Sequence, residues 1–177
     1  MEKGKGWHIE KGVLFIGKEF RRGKGFLPWF DDRDRITGLV LEEGLEEVGR
    51  EWCAYLKGLR TLELPHSLKI IASGAFEDCS GIREVIIPES VTEINNSAFY
   101  ECTDLEKVIL PESLTAIWEK AFRYCRSLRE IIIPPNVWHI TDDVFNDCPS
   151  LKKVIVRSKV LENMYWVPDG CEVIRED

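Results

Sequence analysis

PESVTEINNSAFYECTDLEKVIL, residues 88–110, is followed by PESLTAIWEKAFRYCRSLREIII, residues 111–133, and PPNVWHITDDVFNDCPSLKKVIV, residues 134–156. The stretch before it, PHSLKIIASGAFEDCSGIREVII, residues 65–87, follows the same pattern. A fixed period of 23 residues marks a stacked array. In such an array each unit is one supersecondary element that cannot bury its apolar face alone and is stabilised by its neighbours.

The chemistry of one unit predicts its shape. Residues 83–87 are short and β-branched and end at Pro88, which has no N–H to continue a ladder. Alternation in a strand turns Val85 and Ile87 inward and Glu84 and Ile86 outward. Val91 and Ile94 point inward at a spacing of three, as a turn or a short second strand. Residues 97–102 read as one or two helical turns with Ala98, Phe99 and Cys102 on the inner face. Phe76, Phe99, Phe122 and Phe145 fall on one column and predict a continuous spine, each burial contributing roughly 1.5–3 kcal/mol.

The ends depart from the period. Residues 1–35 predict a cap: a hairpin through Trp7 and Val13 with Lys11-Gly12 at its turn, then a glycine-rich basic loop. That cap carries nine basic and six acidic residues, hence +3, which leaves −10 for the rest of a chain whose total is −7. The loop is a solvated connection, or it meets an acidic partner or the acidic body of the same protein. Residues 36–156 hold the repeats, about five units with a degenerate first one. Residues 157–177 form a C-terminal cap within the same single domain, with a covering segment over 160–166 and a last strand over 171–174. Pro168 occupies the spine column there, so no fifth aromatic is expected.

Composition narrows the function. A net charge of −7 disfavours a phosphate-backbone partner, so nucleic acid is not expected. No apolar run approaches the ~20 residues needed to span a bilayer, so membrane insertion is not expected either. The N-terminus lacks an apolar h-region, which predicts a cytoplasmic chain if it is full length, and a surface or secreted one if a signal was removed. Cys79, Cys102, Cys125, Cys148 and Cys171 are spaced by 23, which is not the close pairing of a zinc site. Reduced, buried thiols acting as small hydrophobes are expected, with a metal or redox ladder as the alternative. His8, His66 and His139 sit on different units, and the recurring Ser67, Ser90 and Ser113 suit turns rather than nucleophiles. Asp142 and Asp143 read as caps of a helical turn. No catalytic, metal or cofactor site is predicted.

The run Ile87-Pro88-Glu89-Ser90-Val91-Thr92-Glu93-Ile94, with Ala98-Phe99, Cys102 and Leu105, matches the pattern IPxSVTxIGxxAFxxCxxLxxV. At these residues the chain resembles the BspA-like leucine-rich repeats of bacterial surface proteins. Pro28-Trp29 and Leu41-Glu42-Glu43-Gly44 match that family's leading segment, so the resemblance covers about residues 7–156. It implies an α/β fold, a right-handed leucine-rich-repeat solenoid with a parallel β-sheet on its concave face, short helical turns opposite and an N-terminal β-hairpin cap. It also implies a non-enzymatic role in adhesion or protein–protein contact.

Within that frame the outward positions are the candidate site. One column reads Glu63, Ile86, Ile109, Ile132, Ile155, whose isoleucines make an apolar stripe ~14 Å long. Beside it run Glu84, Lys107, Glu130 and Lys153, alternating in sign. These residues predict a face for a protein partner or for self-association. Trp118, Trp138 and His139 form a second candidate, an aromatic surface for adhesion or a glycan. A structural spacer is the third reading.

Overall fold

The computed structural model describes residues 2–159 and 161–176. It opens with β1 (Glu2–Gly4), β2 (Trp7–Glu10) and β3 (Val13–Ile16), an antiparallel meander. The β2–β3 turn falls at Lys11 and Gly12, with φ of 50° and 80°, where glycine is least strained. A 3-10 helix, Phe30–Arg35, leads into the repeats.

The rungs from Gly38 to Ile140 then each contribute a main strand and a two-residue second strand, and the last two add main strands only. The main strands are β4 (Gly38–Leu41), β6 (Thr61–Glu63), β8 (Glu84–Ile86), β10 (Lys107–Ile109), β12 (Glu130–Ile133), β14 (Lys153–Val156) and β15 (Glu172–Arg175). The second strands are β5 (Glu47–Val48), β7 (Ile70–Ile71), β9 (Glu93–Ile94), β11 (Ala116–Ile117) and β13 (His139–Ile140). The pairings among the repeats are parallel and in register with the period, as in Leu39 with Leu62, Val85 with Val108 and Ile131 with Val154, whereas β15 pairs parallel with β14 at an offset of 19, Ile155 with Ile174. Of the two readings open for residues 91–94, the short second strand is the one that forms. Its ladder, β5-β7-β9-β11-β13, is unbroken, whereas the main sheet falls into β1-β2-β3-β4-β6, β8-β10 and β12-β14-β15.

The helical turns expected opposite the main strands are chained turns instead. Ser97 and Glu101 both have positive φ, as do Lys120 and Tyr124 in the next rung. Two left-handed residues four apart stop an α-helix from propagating. They also aim amides at the neighbouring rung: Phe76 N–H donates to the Ala98 carbonyl at 2.8 Å, Phe99 to Ala121 at 2.8 Å and Phe122 to Val144 at 3.1 Å. The serines act in the opposite direction, since the Ser67, Ser90 and Ser113 hydroxyls donate to the carbonyls of Leu45, Leu68 and Val91 one rung back. Asp143 caps across rungs rather than along a helix, accepting from the Lys120 N–H at 3.3 Å.

The inward residues form one core. Val85, Ile87, Val91, Ile94, Ala98, Phe99, Cys102 and Leu105 are all buried, as are their counterparts in the following rung apart from the half-buried Leu110. Successive spine rings lie nearly parallel with centroids 5.2, 5.4 and 5.7 Å apart from Phe76 to Phe145. Both ends of the spine are closed by tryptophan. At the N-terminal end Cys53 takes the spine position, and Trp7, Phe20, Trp29 and Trp52 pack edge-on beyond it. Trp29 Nε1 donates to the Trp52 carbonyl at 3.0 Å. At the C-terminal end Trp166 is buried with its ring 6.0 Å from Phe145. A fifth aromatic is therefore supplied after all, two residues ahead of Pro168, because an indole reaches the exposed end of the stack from outside the period. Residue 160 of the expected covering segment lies outside the described residues.

Replacing Phe122, which has a stacked ring on each side, with alanine is expected to cost roughly 3–5 kcal/mol. In a nearest-neighbour array the loss also uncouples the flanking rungs, so thermal unfolding of the variant should become broader or biphasic. A sharp transition at an unchanged midpoint would contradict the spine.

Candidate interaction face

The main strands present two outward columns, because side chains two residues apart share a face. The first contains Glu84, Lys107, Glu130 and Lys153. Their charges pair as two dyads, Glu84 with Lys107 at 2.6 Å and Glu130 with Lys153 at 3.2 Å. No ion pair links Lys107 to Glu130 among the described residues, and the break coincides with the missing ladder between β10 and β12. These pairs are largely solvent-exposed and contribute little to stability, about 0–1 kcal/mol each. They do hold long side chains in fixed positions along the stripe.

The second column is the predicted isoleucine stripe, and its accessibility is graded. Ile86 is 60% exposed and Ile109 is 41% exposed, while Ile132 is half-buried. Ile155 is only 6% exposed, which corrects its assignment as an accessible contact residue. It sits in register between Ile132 and Ile174, with Lys153 and Arg157 on either side along the same face. Arg157 is held there by Glu176 at 2.9 Å and Glu112 at 3.7 Å. The accessible stripe is therefore centred on β8 and β10 rather than running the length of the sheet.

Between β10 and β12 this face opens into a cleft of about 520 Å³. Ile109, Ile132 and Pro134 supply its apolar surface, and Lys107 and Glu130 lie along it. Its rim carries the pairs Glu106–Arg129, at 3.5 Å, and Glu112–Arg157. An apolar floor ringed by satisfied charges can bury apolar side chains of a partner without stranding a charge on its own side.

The stripe also extends further than the repeats imply. Val40 pairs with Glu63, Phe15 with Val40 and His8 with Phe15, all on the outward side. The His8 and Phe15 rings stack at 4.4 Å. Val40 was within reach of the period, 23 residues before Glu63. Phe15 and His8 were not, since only the parallel pairing of the hairpin with β4 brings them into line.

The aromatic candidates do converge. Trp138 is 60% exposed, and His139 lies 5.4 Å from its ring and 4.8 Å from the half-buried Trp118. Trp118 Nε1 donates to Glu93 at 2.8 Å, which fixes that ring against the sheet. Trp138 borders a shallow cleft of about 360 Å³ that also holds Asp142, Glu162 and Asn163.

Six copies of the BspA type leucine rich repeat region match residues 34–171, most of the chain. The chain belongs to this family. Among solved structures, this BspA-type chain is similar to the leucine-rich-repeat protein of T. pallidum, at 25% identity and a TM-score of 0.64, over 88% of this chain and 71% of that one. It also shares the fold of a leucine-rich-repeat protein from Bacteroides ovatus, at 20% identity and a TM-score of 0.51, over 81% of this chain and 47% of that one. For the pneumococcal vaccine antigen PcpA the figures are 18%, 0.53, 81% and 52%. The chain thus spans about half the length of the last two. A comparison with curated proteins finds no match. Leucine-rich-repeat solenoids of this kind serve in general as protein-interaction or surface modules, because stacked rungs create an extended surface.

The cysteine column is scaffold. The thiols of Cys102, Cys125 and Cys148 donate to the carbonyls of Phe76, Phe99 and Phe122 at 3.2–3.3 Å. Burial pushes Cys79 and Cys148 up to about 12 and Cys53, Cys102 and Cys125 well above the usual thiol range. Among the described residues no group of three or more His, Cys, Asp or Glu side chains is arranged to hold a metal. A thiol whose folded pKa is raised stabilises the fold fully below its unfolded pKa, near ~8.5, and that stability is lost as the pH rises above it. Denaturation midpoints should accordingly fall with increasing steepness above about pH 8.5. Native-state alkylation mapped by mass spectrometry should modify the half-exposed Cys171 well before the other five.

Proposed function

We propose that the chain is a non-enzymatic protein-interaction module that binds its partner through the outward face of the main sheet. The accessible stretch from Ile86 to the cleft at Ile109 and Ile132 is the contact centre. The observation that carries this reading is the juxtaposition of two strongly exposed isoleucines with an apolar cleft whose flanking charges already have partners. Exposed β-branched residues standing beside such a cleft are the pattern of a contact surface rather than of a solvated sheet. Ile86, Ile109 and Ile132 supply apolar contact, and Glu84, Lys107, Glu130 and Lys153 set register and charge match. Ile155 lies in the same file but is covered. Ile86→Lys combined with Ile109→Lys should weaken partner capture by at least about tenfold, the cost of losing one hot-spot contact. Because both positions are exposed, the melting temperature should stay nearly constant. Unchanged capture by a folded double variant would remove the face from consideration.

A second reading rests on the exposure of Trp138. An accessible indole beside carboxylates and an amide is suited to stacking on a pyranose ring while Asp142, Glu162 and Asn163 receive or donate hydroxyl hydrogen bonds. On this reading the chain is a surface adhesion or glycan-binding module. Titration with a panel of oligosaccharides should change tryptophan fluorescence in the parent protein and in Ile109→Lys, and leave Trp138→Ala silent. A response that survives in Trp138→Ala would rule this site out.

A further inference from the structure

The face has a free charge in an otherwise apolar column, and the N-terminal loop carries its complement. We propose that the face is occupied by a second copy of this chain, docked through the tip of its basic loop. This rests on the reading of the main-sheet face as the binding face and names its occupant.

The docking element is the loop Arg21-Arg22-Gly23-Lys24-Gly25-Phe26. Nothing in the molecule approaches within 4 Å of where a Cβ would stand at Gly23 or Gly25, so the tip stands clear of the body. Phe26 is 82% exposed, with its ring 4.7 Å from Phe30. Arg21 and Arg22 are engaged locally, donating to the carbonyls of Lys18 and Phe20 and to that of Arg50. Lys24 has no hydrogen-bond or ion-pair partner among the described residues. The tip thus offers one free ammonium group two residues from an exposed aromatic ring.

The receiving element has the matching arrangement. Glu84, Glu106, Glu112 and Glu130 each have a cation within 4 Å. Glu63, on the same face, has no partner among the described residues. It lies in register with Val40, and Ile86 follows it one rung on. Covering the stripe with an uncharged partner would bury that carboxylate unpaired, at a cost of several kcal/mol. A partner for this face therefore brings a cation to Glu63 and an apolar group beside it. Rungs are ~4.8 Å apart, so Ile86 and Ile109 stand about 5 and 10 Å from Glu63, while same-face side chains of an extended segment repeat every ~7 Å. With Lys24 over Glu63, Phe26 falls over the gap between Ile86 and Ile109.

The contact forms between copies. Arg22 ties the loop to the Arg50 carbonyl in the turn after β5, which holds it on the second-strand side of its own molecule. The charge asymmetry, +3 over residues 1–35 against −10 over the rest, favours head-to-tail pairing. A tip on one copy and a face on the next make a heterologous contact, which propagates into a ring or an open filament.

Sedimentation velocity on the full chain, from micromolar to millimolar concentration at low ionic strength, tests this directly. The parent protein is expected to form species beyond a dimer that dissociate as salt is raised. Lys24→Glu, Glu63→Lys and Phe26→Ala should each raise the dissociation constant by roughly tenfold or more, with unchanged circular dichroism. In a mixture of Lys24→Glu with Glu63→Lys each variant's tip matches only the other variant's face, so association beyond a dimer should be restored with the two variants alternating. A parent protein that stays monomeric throughout would overturn the second copy as occupant. So would a mixture that remains monomeric. If Ile86→Lys with Ile109→Lys abolishes association while Lys24→Glu and Phe26→Ala leave it intact, the tip is overturned and the face reading stands.

Discussion

Every rung of this protein depends on hydrogen bonds to a rung about 23 residues away. A main strand of three or four residues and a second strand of two cannot satisfy their own amides, and a buried unpaired amide is costly. The neighbouring rung supplies the partners on three sides: the main strands, the second-strand ladder β5-β7-β9-β11-β13 and the chained turns, where Phe76, Phe99 and Phe122 donate forward. The serine hydroxyls and the cysteine thiols add bonds in the opposite direction, back to the preceding rung. The phenylalanine spine then fills the space these bonds enclose. Backbone pairing sets the rung spacing, and a flat ring at every rung is the side chain that suits it, as the centroid distances of 5.2–5.7 Å show.

The same dependence explains the ends. A rung with one neighbour has unpaired edges and an uncovered ring, and both ends answer with tryptophan, Trp29 from the cap and Trp52 from the degenerate first repeat at one and Trp166 at the other. It also explains why the interior carries no chemistry. Cys102 and its column are placed where a small group with a weak donor fits between rings, and burial keeps those thiols protonated. The ladder places the outward residues in straight files. The main sheet is interrupted after β6 and again after β10. The cleft at Ile109 and Ile132 lies at the second interruption, where the charged column also breaks its pairing.

Much of this was legible in one dimension. The inward set Val91, Ile94, Ala98, Phe99, Cys102 and Leu105 follows from period and polarity, and all of it is buried. The outward orientation of Glu84, Ile86, Lys107 and Ile109 follows from alternation and is likewise observed. The loops were less transparent. Ser97, Ala98, Phe99 and Tyr100 read as a helical turn because the inner residues recur at helical spacing. The left-handed conformation at Ser97 and Glu101 is imposed by hydrogen bonds to the next rung, and those are invisible in a single unit.

Alternation and the 23-residue repeat, properties of neighbouring and equivalent positions, were enough to determine the solenoid, the spine and the identity of the outward columns. Exposure within a column is different, because it depends on what lies across several rungs. Ile86 and Ile155 occupy equivalent positions with the same side chain, yet one is 60% exposed and the other 6%. Only the folded chain brings Ile174 alongside Ile155 and pins Arg157 between Glu112 and Glu176, and only the hairpin's parallel contact with β4 adds Phe15 and His8 to the file. Repetition specifies where a side chain points; long-range packing decides whether anything can reach it.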